Sequence, residues 1–241
     1  ESIQQMDASG VRRALAFVTS AYSSYSGCRQ YREDISRAQQ ETALEHIVID
    51  KLRVFFNHPG FIEPMVAQTR SALMEISGGR SGRIPLLFTA HSIPQAMAGN
   101  CRYEQQLGEA CRLVADGCGH SDWQLVYQSR SGPPSQPWLE PDVCDVIRTE
   151  CAADELAGIV IVPIGFISDH MEVIYDLDHE ARAVCEEIGL PMRRVATVGT
   201  HPRFVTMIRE LVEERMTDMP TRLSLGDLGP SHDVCPANCC L

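Results

Sequence analysis

Four short apolar runs, residues 14–19, 85–90, 124–129 and 158–163, are separated by longer stretches in which apolar residues return every three or four positions. A β-branched or aromatic run of that length suits a strand buried on both faces, and the three-to-four spacing suits an amphipathic helix. Strand and helix in alternation predict an α/β fold, with parallel sheets flanked by helices. Helices are expected over 60–76, 103–115, 142–155, 169–189 and 202–215. Gly189 and Pro191 mark the end of the fourth, and Pro202 suits the first turn of the fifth. The stretch Ser77-Gly-Gly-Arg-Ser-Gly-Arg83 is linker-like and divides the chain into two units. Because the first strand falls in the opening residues and the chain starts at Glu1, the first unit is read as lacking N-terminal sequence. Beyond Met219-Pro220 no periodicity returns, so the tail is expected to be irregular unless something ties it down.

Composition removes several classes of function. With 21 Lys+Arg against 32 Asp+Glu the formal charge is −11, and no basic cluster is present to follow a phosphate backbone, so nucleic acid is not an expected partner. The longest apolar stretches, 84–90 and 158–166, fall short of the roughly 20 residues that span a bilayer. Neither a phosphate-binding G-x-x-x-x-G-K-[ST] nor a strand-linked G-x-G-x-x-G occurs. Ten cysteines in a chain without a secretory leader point to a reducing, cytoplasmic setting. Cys235, Cys239 and Cys240 crowd the last seven residues, where packing does not account for them.

Ligands of open α/β sheets gather at the carboxyl ends of strands. The run Pro85-Leu-Leu-Phe-Thr89 leads into His91, whose imidazole can accept a proton or bind a metal; its position equally fits a capping or core histidine. The run Ile159-Val-Ile-Val-Pro163 leads into Asp169, His170 and Glu172. Asp169 and Glu172 have the spacing of a capping box, a purely structural role. That role leaves unexplained why Glu172, Asp176 and Glu180 recur every fourth residue along one helical face, where like charges repel. A cation would relieve the repulsion, and an exposed acidic face is the alternative. Imidazole plus carboxylate suits a divalent first-row metal. The third exit, Gln128-Ser-Arg-Ser-Gly-Pro-Pro-Ser-Gln-Pro-Trp138, reads as a cleft wall in which Arg130 meets substrate carboxylates and Trp138 offers an apolar face. The first exit, residues 19–32, reads as a loop rich in tyrosine: Tyr22, Tyr25 and Tyr31 can stack on a flat ligand. Cys28 in that loop can meet the tail cysteines if the C-terminus folds back, and four thiolates make an iron–sulfur or zinc site.

Four ordered blocks, Leu87-Phe-Thr-Ala-His-Ser-Ile-Pro94, Tyr127-Gln-Ser-Arg-Ser-Gly-Pro-Pro134 with Pro137-Trp-Leu-Glu-Pro141, Val162-Pro-Ile-Gly-Phe-Ile-Ser-Asp-His-Met-Glu172 and Tyr22-Ser-Ser-Tyr-Ser-Gly-Cys28, resemble those of ferrochelatases. The resemblance is stronger to the actinobacterial coproporphyrin III ferrochelatases. It implies two Rossmann-like halves facing a porphyrin cleft: residues 1–82 as the C-terminal part of the first half with connecting helices, 83–200 as the second, and 201–241 as a C-terminal helix and cysteine-bearing tail returning toward the first. It further implies insertion of Fe(II) into coproporphyrin III without ATP. His91 and Glu172 are the implied catalytic groups and iron ligands, Asp176 and Glu180 an acidic relay, and Tyr31 a porphyrin contact with Tyr25 as competitor. Some members hold a [2Fe-2S] cluster on one internal and three C-terminal cysteines, and Cys28, Cys235, Cys239 and Cys240 resemble that set, although the adjacent pair departs from the spacing expected. The alternatives are a chelatase acting on protoporphyrin or another tetrapyrrole, and a non-catalytic heme-binding or iron–sulfur regulatory protein.

Overall fold

A computed structural model describes the chain apart from residues 80, 134, 152–155, 218–220, 237 and 241, and gives only the backbone of Glu150. α1 (Ser2–Ala8) leads into β1 (Arg13–Ala16), and a π-helical turn, Tyr25–Arg29, continues directly as α2 (Gln30–Thr42). β2 (Val48–Lys51) lies parallel to β1, with Arg13 opposite Val48. α3 (Pro59–Ser77) follows. His58 caps it, its Nδ1 accepting the Gly60 N–H at 3.0 Å, and Pro59 occupies the first turn, where its missing N–H costs nothing.

The remainder runs β3 (Leu86–His91), α4 (Gln95–Ala98), α5 (Tyr103–Cys118), β4 (Trp123–Gln128), α6 (Val143–Val146) with a π-helical turn Ile147–Cys151, and β5 (Ile159–Val162). α7 (Met171–Val173) widens into a π-helical segment, Ile174–Ala181, and resumes as α8 (Arg182–Glu187), before β6 (Met192–Arg194) and α9 (Pro202–Thr217). β4, β3, β5 and β6 form, in that order, an all-parallel sheet. Parts of the expected linker, of the helix over 142–155 and of the segment at Met219-Pro220 lie outside the described residues.

β3 shows why its run had to be apolar throughout. Side chains alternate across a strand, and Leu86, Phe88 and Ala90 join a core with Tyr22, Phe55, Phe61 and Val160, whereas Leu87 packs with Val126, Ile161, Val173 and Leu177. The first of these cores is continuous from the residues around β1 and β2 to the four-stranded sheet. α9 is tied to β2's exit by a buried ion pair, Arg53 Nε to Glu214 Oε2 at 2.8 Å, with side chains 1% and 7% exposed.

Two expectations need correction. The tyrosine-rich exit is a loop only as far as Ser24, which accepts the Gly27 N–H at 2.9 Å and caps a helical stretch from Tyr25 to Thr42. The capping box of Asp169 and Glu172 does not form either. His170 occupies the N-cap of α7 without a side-chain bond, and Asp169 Oδ1 accepts instead from Arg194 Nη1 at 2.9 Å and Thr197 N at 3.2 Å. Glu172 is thereby left available to another partner.

Candidate active site

β3 and β5 are neighbours in register, Phe88 opposite Val162, so their carboxyl ends open side by side. β3 ends on His91 itself. The chain leaving β5 crosses the end of β3, where Gly165 N donates to Thr89 O at 2.9 Å, and then delivers Glu172 into the first turn of α7. His91 Nε2 and Glu172 Oε1 stand 3.1 Å apart, each side chain roughly one-third to two-fifths exposed, at 35% and 41%.

The imidazole is held from its other side. His91 Nδ1 lies 2.5 Å from Ser92 O, an acceptor, which assigns the ring proton to Nδ1. Nε2 then presents a lone pair to a carboxylate oxygen. Two acceptors face each other, and the pair becomes complementary only with a proton or a cation between them. Tyr103 donates its hydroxyl to His91 O at 3.0 Å, and burial first, then the nearby Tyr127, pushes that phenol up, so it stays a donor. Ser92 ties the exit to its neighbours through Ser92 N to Gln128 O at 2.8 Å and Ser92 Oγ to Leu139 O at 2.8 Å.

A cavity of about 420 Å3 opens beside His91, walled by Tyr22, Ile93, Pro94, Met97, Tyr103 and Trp138 among others. Tyr22 is fully buried and donates to Ile164 O at 2.8 Å, so it forms wall rather than a free hydroxyl. Trp138 is only 8% exposed, and its indole Nε1 is buried without a hydrogen-bond partner. Gly132 makes room for it: a Cβ there would lie 2.3 Å from Nε1. Gln128 Oε1 is likewise orphaned. Unpaired buried polar atoms are costly in a finished core and are expected where a ligand completes the bonding.

Asp176, four residues beyond Glu172 and inside the π-helical segment, accepts from Gln128 Nε2 at 3.1 Å and from Ser129 Oγ in a short contact. Ser129 sits at φ 62°, in the left-handed region that costs a non-glycine residue energy. Glu180 is exposed farther along the same segment. Arg130 is held away from the His91 cavity, its Nη2 donating to Gln136 O at 3.2 Å and its Nη1 3.7 Å from Glu140, and lines an adjacent cavity of about 410 Å3 with Asp142 and Asp145. Tyr25 donates to Glu33 at 3.0 Å, and Tyr31 is 44% exposed on α2; among the described residues neither lines the 420 Å3 cavity.

The tail does fold back. Arg29 Nη1 donates to Cys239 O at 3.4 Å, and Asn57 Nδ2 donates to Leu225 O at 3.0 Å and Gly229 O at 2.9 Å. The Cys28 thiol meets those of Cys235 and Cys240, and Cys240 Sγ is 3.4 Å from Cys239 Sγ. Cys28, accepting from Cys235 and Cys240 and lying near Lys51, is held well below the usual thiol range, while its two donors are pushed up. Cys240 adopts φ 55°, the conformation that turns it to these partners. The four cysteines singled out in the sequence are therefore brought together, with His232, which the sequence reading passed over, against Cys239.

A ferrochelatase family model matches residues 1–216. The chain belongs to the ferrochelatase family. It is 56% identical to a ferrochelatase of Rhodopirellula baltica, over all of this chain and 68% of that protein, and 47% identical to a coproporphyrin III ferrochelatase of Streptomyces coelicolor, over all of this chain and 70% of that protein. Among solved structures it shares its fold with SirB from Bacillus subtilis with Fe3+, at a TM-score of 0.59 and 13% identity, over 88% of this chain and 76% of that one. The sirohydrochlorin chelatase SirB in complex with cobalt matches at a TM-score of 0.55 and 12% identity, over 88% and 74%. The α/β class expected from the alternating runs, and the chelatase-type fold that the resemblance implied, are the ones found. In this family setting Tyr103, Ser129 and His232 are site neighbours that spacing alone did not single out, although His232 and Cys235, three apart, carried a metal-ligand signal.

Proposed function

We propose that the protein inserts Fe(II) into coproporphyrin III without ATP, with His91 and Glu172 as the reacting groups. The observation that carries this reading is the 3.1 Å approach of the Nε2 lone pair to the Glu172 carboxylate beside a largely apolar cavity. A free porphyrin holds two N–H protons in the hole the metal must enter, and both must leave. His91 Nε2 takes them in turn as general base, each imidazolium being stabilised by Glu172 on one side and Ser92 O on the other and giving its proton up to the acidic path before the next is taken. Before it takes a proton, the same Nε2 lone pair and a Glu172 oxygen can instead replace water on ferrous iron as it approaches. Asp176, steadied by Gln128 and Ser129, and the exposed Glu180 continue the acidic path by which metal arrives or protons depart. Trp138 presents its apolar face to the ring, Arg130 receives propionates at the cleft edge, and Tyr31, with Tyr25 as competitor, is the porphyrin contact on the opposite side. In this reading residues 1–82, 83–200 and 201–241 are the part-half, the second half and the returning tail of the chelatase, working in the cytoplasm; no described helix is long and apolar enough to cross a membrane.

Coproporphyrin is preferred to protoporphyrin on the strength of relatives named for it, such as those of Streptomyces coelicolor and Frankia alni, the latter 49% identical. Anaerobic initial rates with each porphyrin, followed by loss of free-porphyrin fluorescence, test the choice. Faster insertion into coproporphyrin III supports it, and faster insertion into protoporphyrin IX overturns it.

Cys28, Cys235, Cys239 and Cys240 are proposed to hold a [2Fe-2S] cluster. The donor set fits: four free thiols converge, one favoured as thiolate. When bound, the cluster supplies one-electron redox chemistry and a covalent tie between the tail and the π-helical turn that precedes α2. Visible absorption of anaerobically purified protein, bleached by dithionite, is the expected result; colourless, iron-free protein counts against it.

A further inference from the structure

The tail holds one donor more than the four thiols of the cluster reading require. His232 Nε2, Cys235 Sγ and Cys239 Sγ all lie within 4.8 Å of one another, with Nε2 to the Cys239 sulfur at 3.9 Å. Cys28 touches Cys235, and Cys240 touches both Cys28 and Cys239. His232, Cys235 and Cys239 therefore form the compact group, and Cys28 and Cys240 adjoin it through these pairwise contacts. A tetrahedral zinc ion bonds sulfur at about 2.3 Å and nitrogen at about 2.0–2.1 Å, which spaces its donors about 3.5–3.8 Å apart. The His232–Cys239 pair, at 3.9 Å, is close to that spacing already. In a two-iron cluster, by contrast, the four protein ligands are divided between two metals and spread farther. A cavity of about 450 Å3, bordered by Asn100, Arg102, His232, Cys239 and Cys240, gives an ion a way in.

We propose that His232, Cys235, Cys239 and Cys28 form a tetrahedral site for one thiophilic divalent ion of the zinc class, with Cys240 as the donor left out. Thiolates and imidazole select such an ion over magnesium or calcium. The tail then contains two overlapping four-donor sets that share Cys28, Cys235 and Cys239. Completion by Cys240 makes the set proposed for the cluster, and completion by His232 makes a single-ion site. A divalent metal and the cluster compete for the same thiols, and occupancy by either pins the tail to the π-helical turn that precedes α2. The inference does not depend on porphyrin metallation.

Cobalt(II) titrated into reduced, metal-free protein is the probe, because tetrahedral thiolate coordination gives intense visible ligand-field bands and sulfur-to-metal charge transfer. One equivalent is expected to bind with that spectrum. Removing an outer partner of a metal ligand costs about 10–100-fold in affinity, and His232→Ala, which removes a ligand, is expected to cost no less. Cys240→Ser is expected to leave cobalt affinity and spectrum unchanged. His232→Cys restores binding with stronger charge transfer, which separates ligand loss from misfolding. Absence of tetrahedral bands, wild-type affinity in His232→Ala, or loss of binding in Cys240→Ser overturns the proposal. Reconstitution of the same variants with iron and sulfide reads the cluster separately: there Cys240→Ser should fail and His232→Ala succeed, and a failure of that pattern bears on the cluster alone.

Discussion

Gly165 passes so close over Ala90 that a Cβ at position 165 would lie 2.6 Å from the Ala90 Cα. This crossing, fixed by the Gly165 N–H to Thr89 O bond at 2.9 Å, is what brings the segment after β5 to the end of β3 and sets Glu172 against His91. Gly165→Ala must push the loop off the strand. We expect a loss of about 1–3 kcal/mol in stability from overpacking and a fall in iron insertion steeper than the fall in folded fraction. Urea unfolding beside initial rates checks both; a variant with wild-type rate shows that the crossing does not set the pair.

Ser129 is strained so that its hydroxyl reaches Asp176. Ser129→Gly relieves the backbone but removes the hydroxyl, whereas Ser129→Ala keeps the strain and loses the bond, so the glycine variant should be more stable than the alanine one by about 0.4–1 kcal/mol or more. Both should raise the KM for Fe(II) while leaving porphyrin affinity unchanged. An unchanged KM in both removes Ser129 as the positioning group for Asp176.

His58 gives the fold a pH dependence whose sign follows from its burial. Burial, then the Arg53 and Arg203 guanidinium groups, hold its pKa down at about 3; Glu210, 3.6 Å from Nε2, does not reverse this because it is already paired with Arg203 at 2.8 Å. The native ring is neutral and caps α3, while the unfolded ring protonates near pH 6.5. Below that the unfolded state binds the extra proton. Stability should therefore be fully present above about pH 6.5 and decline toward pH 3, with a slope of at most about 1.4 kcal/mol per pH unit from this group. His58→Asn keeps a capping oxygen and removes the titration, so its unfolding midpoint should vary less across that window. An identical pH profile in the variant contradicts the assignment.

Much of the architecture was legible because its strands are buried on both faces. Leu86, Leu87, Phe88, Val160 and Ile161 leave no polar alternation to misread, and their positions were expected within one or two residues. β2 and β6 were not. Asp50 and Lys51 in the first, and Arg193 and Arg194 in the second, break the apolar pattern because these strands lie at sheet edges and spend their charges on partners: Asp50 on Arg13 and Arg215, Arg194 on Asp169 and Asp178. α2 was hidden by a sequence polar on every side, none of whose residues is buried. At the site, strand exits pointed to His91 and Glu172. Tyr103, Gly165 and His232 act through contacts between segments far apart in sequence, which no local pattern records.

The Arg53–Glu214 pair should be costly to break. Glu214→Ala leaves a guanidinium buried beside Val54 and Leu223 without its counter-charge, a change worth about 3–5 kcal/mol. Chemical denaturation reads it directly; a loss below about 1 kcal/mol places the pair in the class of surface ion pairs.

The central claim is that His91 removes pyrrole protons rather than merely shaping the cavity. Porphyrin binding and metallation should therefore separate in His91→Ala. With Fe(II) and coproporphyrin III under anaerobic conditions, the account predicts porphyrin affinity within about twofold of wild type and insertion slower by about 10²–10⁴-fold. Insertion at the wild-type rate in that variant would contradict it.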